Sequence, residues 1–307
     1  MIHKKTDNLP LPWQLSVLQS QNCRPSTAGA SERHPATVIL TLFAVDVNTK
    51  FDMIVRFTMA EVRITSGVLG SPKLSVPRAG LKDIWNAHMA EGAIFCKYDI
   101  PLCPTTAETV PSSIITWDEA KTVYKKRKAH GDDDFHHESF VCFYMDDFKF
   151  DGSRGIWHDW KHALKVLGHF SGVITPDFST YQDFPEALKI YATYRMRLYG
   201  YWLGRQGIAV INNVRWGTPE SYRYCFEGIP RNSIVSIGTA GGSPRKLADR
   251  QRFVDGLSEM VKVLHPSTII VYGSAEYKCF NQLKECGIEV VSFQSKTAKA
   301  FDGRDTK

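Results

Sequence analysis

SGVITPDFSTYQDFPEALKIYATYRMRLYGYWLGRQGIAVINNVRWG, residues 171–217, decides how the rest of the chain is read. An apolar segment (172–175) gives way to Asp177 and Ser179. A helix follows, opening at Pro185, where a missing N–H costs nothing, and stopping at Gly207, which can adopt the left-handed conformation of a helix end. A second apolar segment (208–212) then ends in Asn213, Arg215 and Trp216.

The same unit recurs on both sides. FVCFYM (140–145) ends in Asp146 and Asp147 and precedes the amphipathic WKHALKVL. SIVSIG (233–238) leads into TAGGSPRK and a helix over 249–264, which places Phe253, Leu257, Met260, Val261 and Leu264 on one face before Pro266. TIIVYG (268–273) meets Ser274, a helix near 280–286 stops at Gly287, and IEVVSF (288–293) follows. Upstream, SSIITWDEAKTVYKKRK predicts a strand at 114–115 and a helix capped near Asp118, while AIFCKYDIP predicts a further strand near 94.

Strands that are apolar throughout and alternate with amphipathic helices imply a parallel sheet covered by helices, because crossover connections put helices on its faces. Seven or eight strands over about residues 80–300 favour a TIM-barrel-like (β/α) arrangement over an open doubly wound sheet. Both architectures gather ligand-binding groups at the C-terminal ends of the strands.

Composition bounds the remainder. The 307 residues are 43% hydrophobic and 23% charged, an ordinary globular balance, and the net charge of +6 permits a polyanionic partner without requiring one. Seven cysteines, an odd number with no CxxC pair, argue against a structural zinc site and fit a reducing compartment. No apolar run has the length of a membrane span, and MIHKKTDNLPLPW lacks the core of a signal peptide, so the expectation is a cytoplasmic protein without membrane contact. Residues 1–35 read as an arm, and ATVILTLFAVDV with FDMIVRFTMAEVRIT as a small β-rich module. Residues 1–75 thus form an N-terminal extension, joined by the Pro/Gly-marked stretch 67–80 and available to a protein partner.

ITPDFSTYQDFPEAL, INNVRWG, CFEGIPRNSIVSIGT and TIIVYGSA resemble the signature segments of a domain family of unassigned activity found in bacteria, their phages and other mobile elements. The resemblance covers about residues 85–300; the first 75 or so residues depart from it. It implies a phage-like or mobile-element origin and a bacterial cytoplasm, and supplies no mechanism.

Candidate chemistry lies at the strand ends. If their strands are neighbours, Asp146, Asp147 and Asp177 come close enough for Asp147 and Asp177 to hold Mg²⁺ or Mn²⁺ for phosphoryl chemistry, or for a carboxylate pair to act on a glycoside. Capping of the following turns is the plainer account of these aspartates. Arg215 and Trp216, beside Asn213, offer a planar fork for phosphate or carboxylate and a stacking face; a structural Arg215–Asp177 salt bridge is the alternative. Thr239, Gly241 and Gly242 belong to a glycine-rich turn whose N–H groups can cradle an anion, aided by Arg245 and Lys246, although no nucleotide motif is present. Ser274 is an isolated serine without a GxSxG elbow. GDDDFHHE and the basic run 125–128 read as solvated, and the aromatic residues of the long helix as mostly core.

Two functions follow. One is metal-assisted hydrolysis or transfer on a phosphorylated or nucleic-acid substrate, with Asp147, Asp177 and Arg215 as the catalytic set. The other is non-catalytic binding of a macromolecule through the N-terminal module.

Overall fold

The computed structural model describes residues 83–239 and 247–302. The expected N-terminal arm and β-rich module, and Gly241 and Gly242 with their neighbours Arg245 and Lys246, lie outside the described residues. Seven strands, β1 (Ile114–Thr116), β2 (His137–Cys142), β3 (Phe170–Ile174), β4 (Ala209–Asn213), β5 (Ile234–Gly238), β6 (Thr268–Tyr272) and β7 (Glu289–Phe293), form one sheet. They pair in sequence order and every pairing is parallel. Between them run α1 (Trp117–Ala129), α2 (Trp160–Leu167), α3 (Glu186–Arg205), α4 (Tyr222–Cys225), α5 (Leu247–Leu264) and α6 (Lys278–Glu285), and α7 (Lys296–Asp302) follows β7.

Alternation along each strand divides the core. One set of side chains, Val141, Val173 and Val210, packs under α1, α2 and α3 against Trp117, Val166 and Met196. Further along the sheet Val235, Ile237, Ile269 and Val271 pack under α5 and α6 against Leu257, Met260 and Phe280. The opposite set, Ile114, Cys142, Ile174, Ile211 and Ile270 with Tyr144 and Tyr272, forms a third cluster, and Phe293 of β7 packs on it. Residues of the first and last strands meet there only because the sheet curls, which makes it a TIM-barrel-like half-barrel. Burial on both faces is why the strands read as apolar runs. Within that interior, burial pushes the Cys142 thiol up to about 12, so it stays protonated.

β1 and β7 are not paired among the described residues. One ion pair joins the segments that follow them, Lys296 Nζ to Asp118 at 2.6 Å, and the Lys296 backbone N–H donates to Tyr272 Oη of β6 at 2.9 Å. β4 and β5 pair only at Asn212 with Val235 and Asn213 with Ser236. Below that point residues 103–107 wedge into the split. Val210 O accepts from Thr106 N at 2.9 Å, Val210 N donates to Thr106 Oγ1 at 2.8 Å, and Asn212 Nδ2 donates to Cys103 O at 2.7 Å.

Several expectations are corrected. The segment near 94 is not a strand: Phe95 and Pro101 form one antiparallel bridge, and Tyr98 and Asp99 take left-handed φ of 61° and 55°, which turns the chain back on itself. β2 lies earlier than the 140–145 span, so Asp146 and Asp147 stand beyond its end. The cap of α1 is Thr116, which shares a capping box with Glu119. The basic run and the acidic loop after α1 are mostly exposed, as expected, and pair with one another, with Arg127–Asp132 at 3.0 Å and Lys128–Asp133 at 2.6 Å.

Candidate functional site

At the C-terminal ends of β3, β4 and β5 a chain of hydrogen bonds crosses the curled sheet. Asn213 is the last residue of β4 and stands in register with Ser236 of β5. Tyr144, just past β2, places its hydroxyl 3.0 Å from Asn213 Oδ1 and 2.8 Å from Ser236 Oγ. Asn213 Nδ2 donates to Asp177 Oδ1 at 2.9 Å, so the amide oxygen is the acceptor for the Tyr144 hydroxyl. Burial, followed by the Asp177 charge, holds the Tyr144 hydroxyl well above the usual phenol range, which keeps it a donor. The second Asp177 oxygen accepts from Arg215 Nη1 at 3.0 Å.

Arg215 is thereby aimed. Its side chain is 30% exposed, Asp177 only 10%, and it makes no other hydrogen bond or ion pair among the described residues. It lines a groove of about 340 Å³ whose walls include Tyr181, Gln182, Trp216, Gly238, Arg252 and Phe253. Trp216 is packed on α5, with its ring 5.5 Å from Phe253, and an added Cβ at Gly256 would meet it at 2.1 Å. Arg252 bonds to Gln182 and, at 2.7 Å, to Asp249, tying α5 to the loop after β3.

Asp147 sits at the edge of this network. Both of its oxygens accept from Ser179, from the backbone N–H at 3.1 Å and from the hydroxyl at 2.9 Å. Burial pushes its carboxyl up, the two Ser179 donors pull it back, and the charges of Asp177 and Asp151 raise it further. Asp177 likewise has both oxygens engaged. Among the described residues, no group of three or more His, Cys, Asp or Glu side chains is arranged as metal ligands. Asp146 is apart from the others, exposed and paired with Lys149 at 2.9 Å. Thr239 and Ser274 adjoin one another at the ends of β5 and β6, where Thr239 Oγ1 donates to Ser274 O at 3.1 Å.

Asp177, Asn213, Arg215 and Trp216 are therefore brought together, Asp147 is next to them through Ser179, and Thr239 with Ser274 forms a separate pair. Sequence reasoning missed Tyr144, Ser236, Gln182 and Arg252. Ser236 had a signal: it is a polar residue in the middle of an apolar strand, and a buried hydroxyl requires a partner.

Beneath the site, Arg197 of α3 is fully buried and donates to three backbone carbonyls, those of Asn213 at 2.9 Å, Cys225 at 3.1 Å and Glu227 at 3.1 Å. Burial pulls its guanidinium down to about 10, so it remains charged at neutral pH.

The fold is a curled parallel α/β sheet, and Arg215, Arg252, Trp216 and Phe253 line a groove at its C-terminal rim. The chain belongs to the family described as Domain of unknown function (DUF4417), whose model matches residues 93–294. It is similar to the Gene 1 protein of Mycobacterium phage D29, with 30% identity over 181 residues, 59% of this chain and 62% of the relative. The Gene 1 protein of Mycobacterium phage L5 is 29% identical over 181 residues, 59% of this chain and 73% of the relative. The chain thus spans less than two thirds of the D29 protein. No solved structure matches it.

Proposed function

We propose that the groove at the ends of β4 and β5 binds a phosphate-bearing ligand, with Arg215 as the anion contact. The observation that carries this reading is the held but unfilled guanidinium. Asp177 fixes one nitrogen of Arg215, while the groove side has no protein partner among the described residues. Orientation fixed in advance lowers the ordering cost of binding, and a planar fork suits phosphate oxygens. Trp216 and Phe253 supply apolar wall to one side.

The test is thermal unfolding of the full chain with inorganic phosphate and pyrophosphate. A concentration-dependent rise in Tm that disappears in Arg215→Ala supports the reading; no rise, or a rise unchanged in Arg215→Ala, overturns it. Metal-assisted hydrolysis or transfer is the catalytic form of the same reading and adds Mg²⁺ or Mn²⁺ at Asp147 and Asp177. It requires that the cation alone shift Tm and that Asp177→Asn remove the shift. The phage relatives support action in the host-cell cytoplasm. No helix among the described residues is long and apolar enough to cross a membrane.

A further inference from the structure

We infer that the phosphate-bearing ligand of this groove is a single-stranded nucleic acid whose bases stack on Phe148 and Tyr181. This rests on the reading of Arg215 given above and adds what the phosphate is attached to.

Phe148 is 78% exposed and Tyr181 is 54% exposed, on the loops that follow β2 and β3. Burying a phenyl ring is stabilising, yet Phe148 forgoes most of that stabilisation. The two loops are not independent. Asp147 accepts both hydrogen bonds from Ser179, which joins the residue before Phe148 to the residue two before Tyr181. The rings are thus carried on one braced platform, and Tyr181 also lines the Arg215 groove.

Aromatic faces set beside cations favour a nucleic acid over a protein as the occupant. Aromatic and basic residues are adjacent in sequence three times around this end of the sheet: Phe148 with Lys149 after β2, Arg215 with Trp216 after β4, and Arg252 with Phe253 in α5. Lys149 Nζ stands 5.6 Å from the centre of the Phe148 ring. Each of these cations is ion-paired, with Asp146, Asp177 or Asp249, and Asp147 lies next to Phe148, so the preference comes from the exposed rings and from the groove side of Arg215 and not from net charge. Stacking platforms alternating with cations are how proteins hold single strands with little sequence preference, because every base has a π-face. A duplex keeps those faces inside its own stack, so rings on protruding loops discriminate against it.

The experiment uses fluorescence anisotropy of the full chain with labelled oligothymidylate of about 12 nucleotides. The comparisons are a duplex of the same length and base-free polyphosphate as competitor. The expected result is saturable binding of the single strand, weaker binding of the duplex, and a loss of about fivefold or more in single-strand affinity for each of Phe148→Ala and Tyr181→Ala. Both side chains are exposed, and circular dichroism checks that the variants fold. Polyphosphate should bind Phe148→Ala as it binds the parent, and should fail to bind Arg215→Ala. Single-strand affinity unchanged in both aromatic variants, duplex bound as tightly as single strand, or polyphosphate bound with no oligonucleotide binding would each overturn the stacking proposal and leave the anion reading standing. Failure of the parent chain to bind polyphosphate or any oligonucleotide overturns both.

Discussion

Arg215 and Asp177 form a partly buried ion pair, with the guanidinium Nη1 3.0 Å from a carboxylate oxygen whose twin accepts from Asn213. Asp177 therefore works as a brace that sets where Arg215 points. Asp177→Asn keeps the shape and removes the charge, so anion affinity should fall about three- to tenfold, less than in Arg215→Ala. The stability cost should be about 1 to 3 kcal/mol, because Arg215 remains able to reach water. Phosphate titration and urea unfolding of the same variant separate the two effects. Equal affinity losses in the two variants would mean that Asp177 also touches the ligand.

Arg197 offers a second test, unrelated to ligand binding. Its three carbonyl partners belong to β4, α4 and the turn after α4, and among the described residues no carboxylate is hydrogen-bonded to it. Arg197→Met leaves three carbonyl groups without their donor and should cost about 3 to 5 kcal/mol in urea unfolding. Arg197→Lys should recover only part of this, since an ammonium cannot reproduce a fork aimed at three separate oxygens.

Gly200 lies inside α3, where alanine is normally favoured by about 1 kcal/mol. A Cβ at that position would meet Thr175 Cγ2 at 2.4 Å and Cys103 Sγ at 2.7 Å. Both atoms belong to a well-packed layer, so crowding should outweigh propensity and Gly200→Ala should be destabilising by about 1 to 2 kcal/mol net. Adding Cys103→Ala should recover part of the loss, which a double-mutant cycle reads directly.

The seam between β1 and β7 should be sensitive to acid. Partial burial acts to raise the Asp118 carboxyl, but bonds from Lys296 and Thr116 outweigh it and hold the group below its ordinary value of 3.8. A folded-state value below the unfolded one stabilises the protein above the unfolded value, and that stabilisation is lost as pH falls through the folded one. Lys296→Ala should flatten this acid limb in urea unfolding between about pH 5 and pH 2. At neutral pH it should cost no more than about 1 kcal/mol, since both partners are partly exposed.

How far the sequence could be read depended on the kind of interaction. Gly207 does end α3, Pro185 does precede it, and β3 to β7 fall within two residues of the apolar runs. Those features come from local sterics and from burial on both faces, which leave a periodic trace in the chain. The aspartates after β2 were harder, because FVCFYM is apolar beyond the point where pairing stops, and composition does not mark where a ladder ends. The wedge at 103–107 has no periodic trace, since it is defined by bonds to Val210 and Asn212 more than a hundred residues away.

The sequence alone determined a parallel α/β sheet, the placement of its helices, and a concentration of polar residues at one end of the strands. Each follows from the residue's own neighbours in the chain. Only the tertiary structure decided that the sheet curls far enough for Ile114 and Phe293 to share one core, and that Tyr144, Asn213 and Asp177 line up behind Arg215. Such convergence depends on strand twist, register and the packing of both faces at once, and these are set by contacts between segments far apart in sequence.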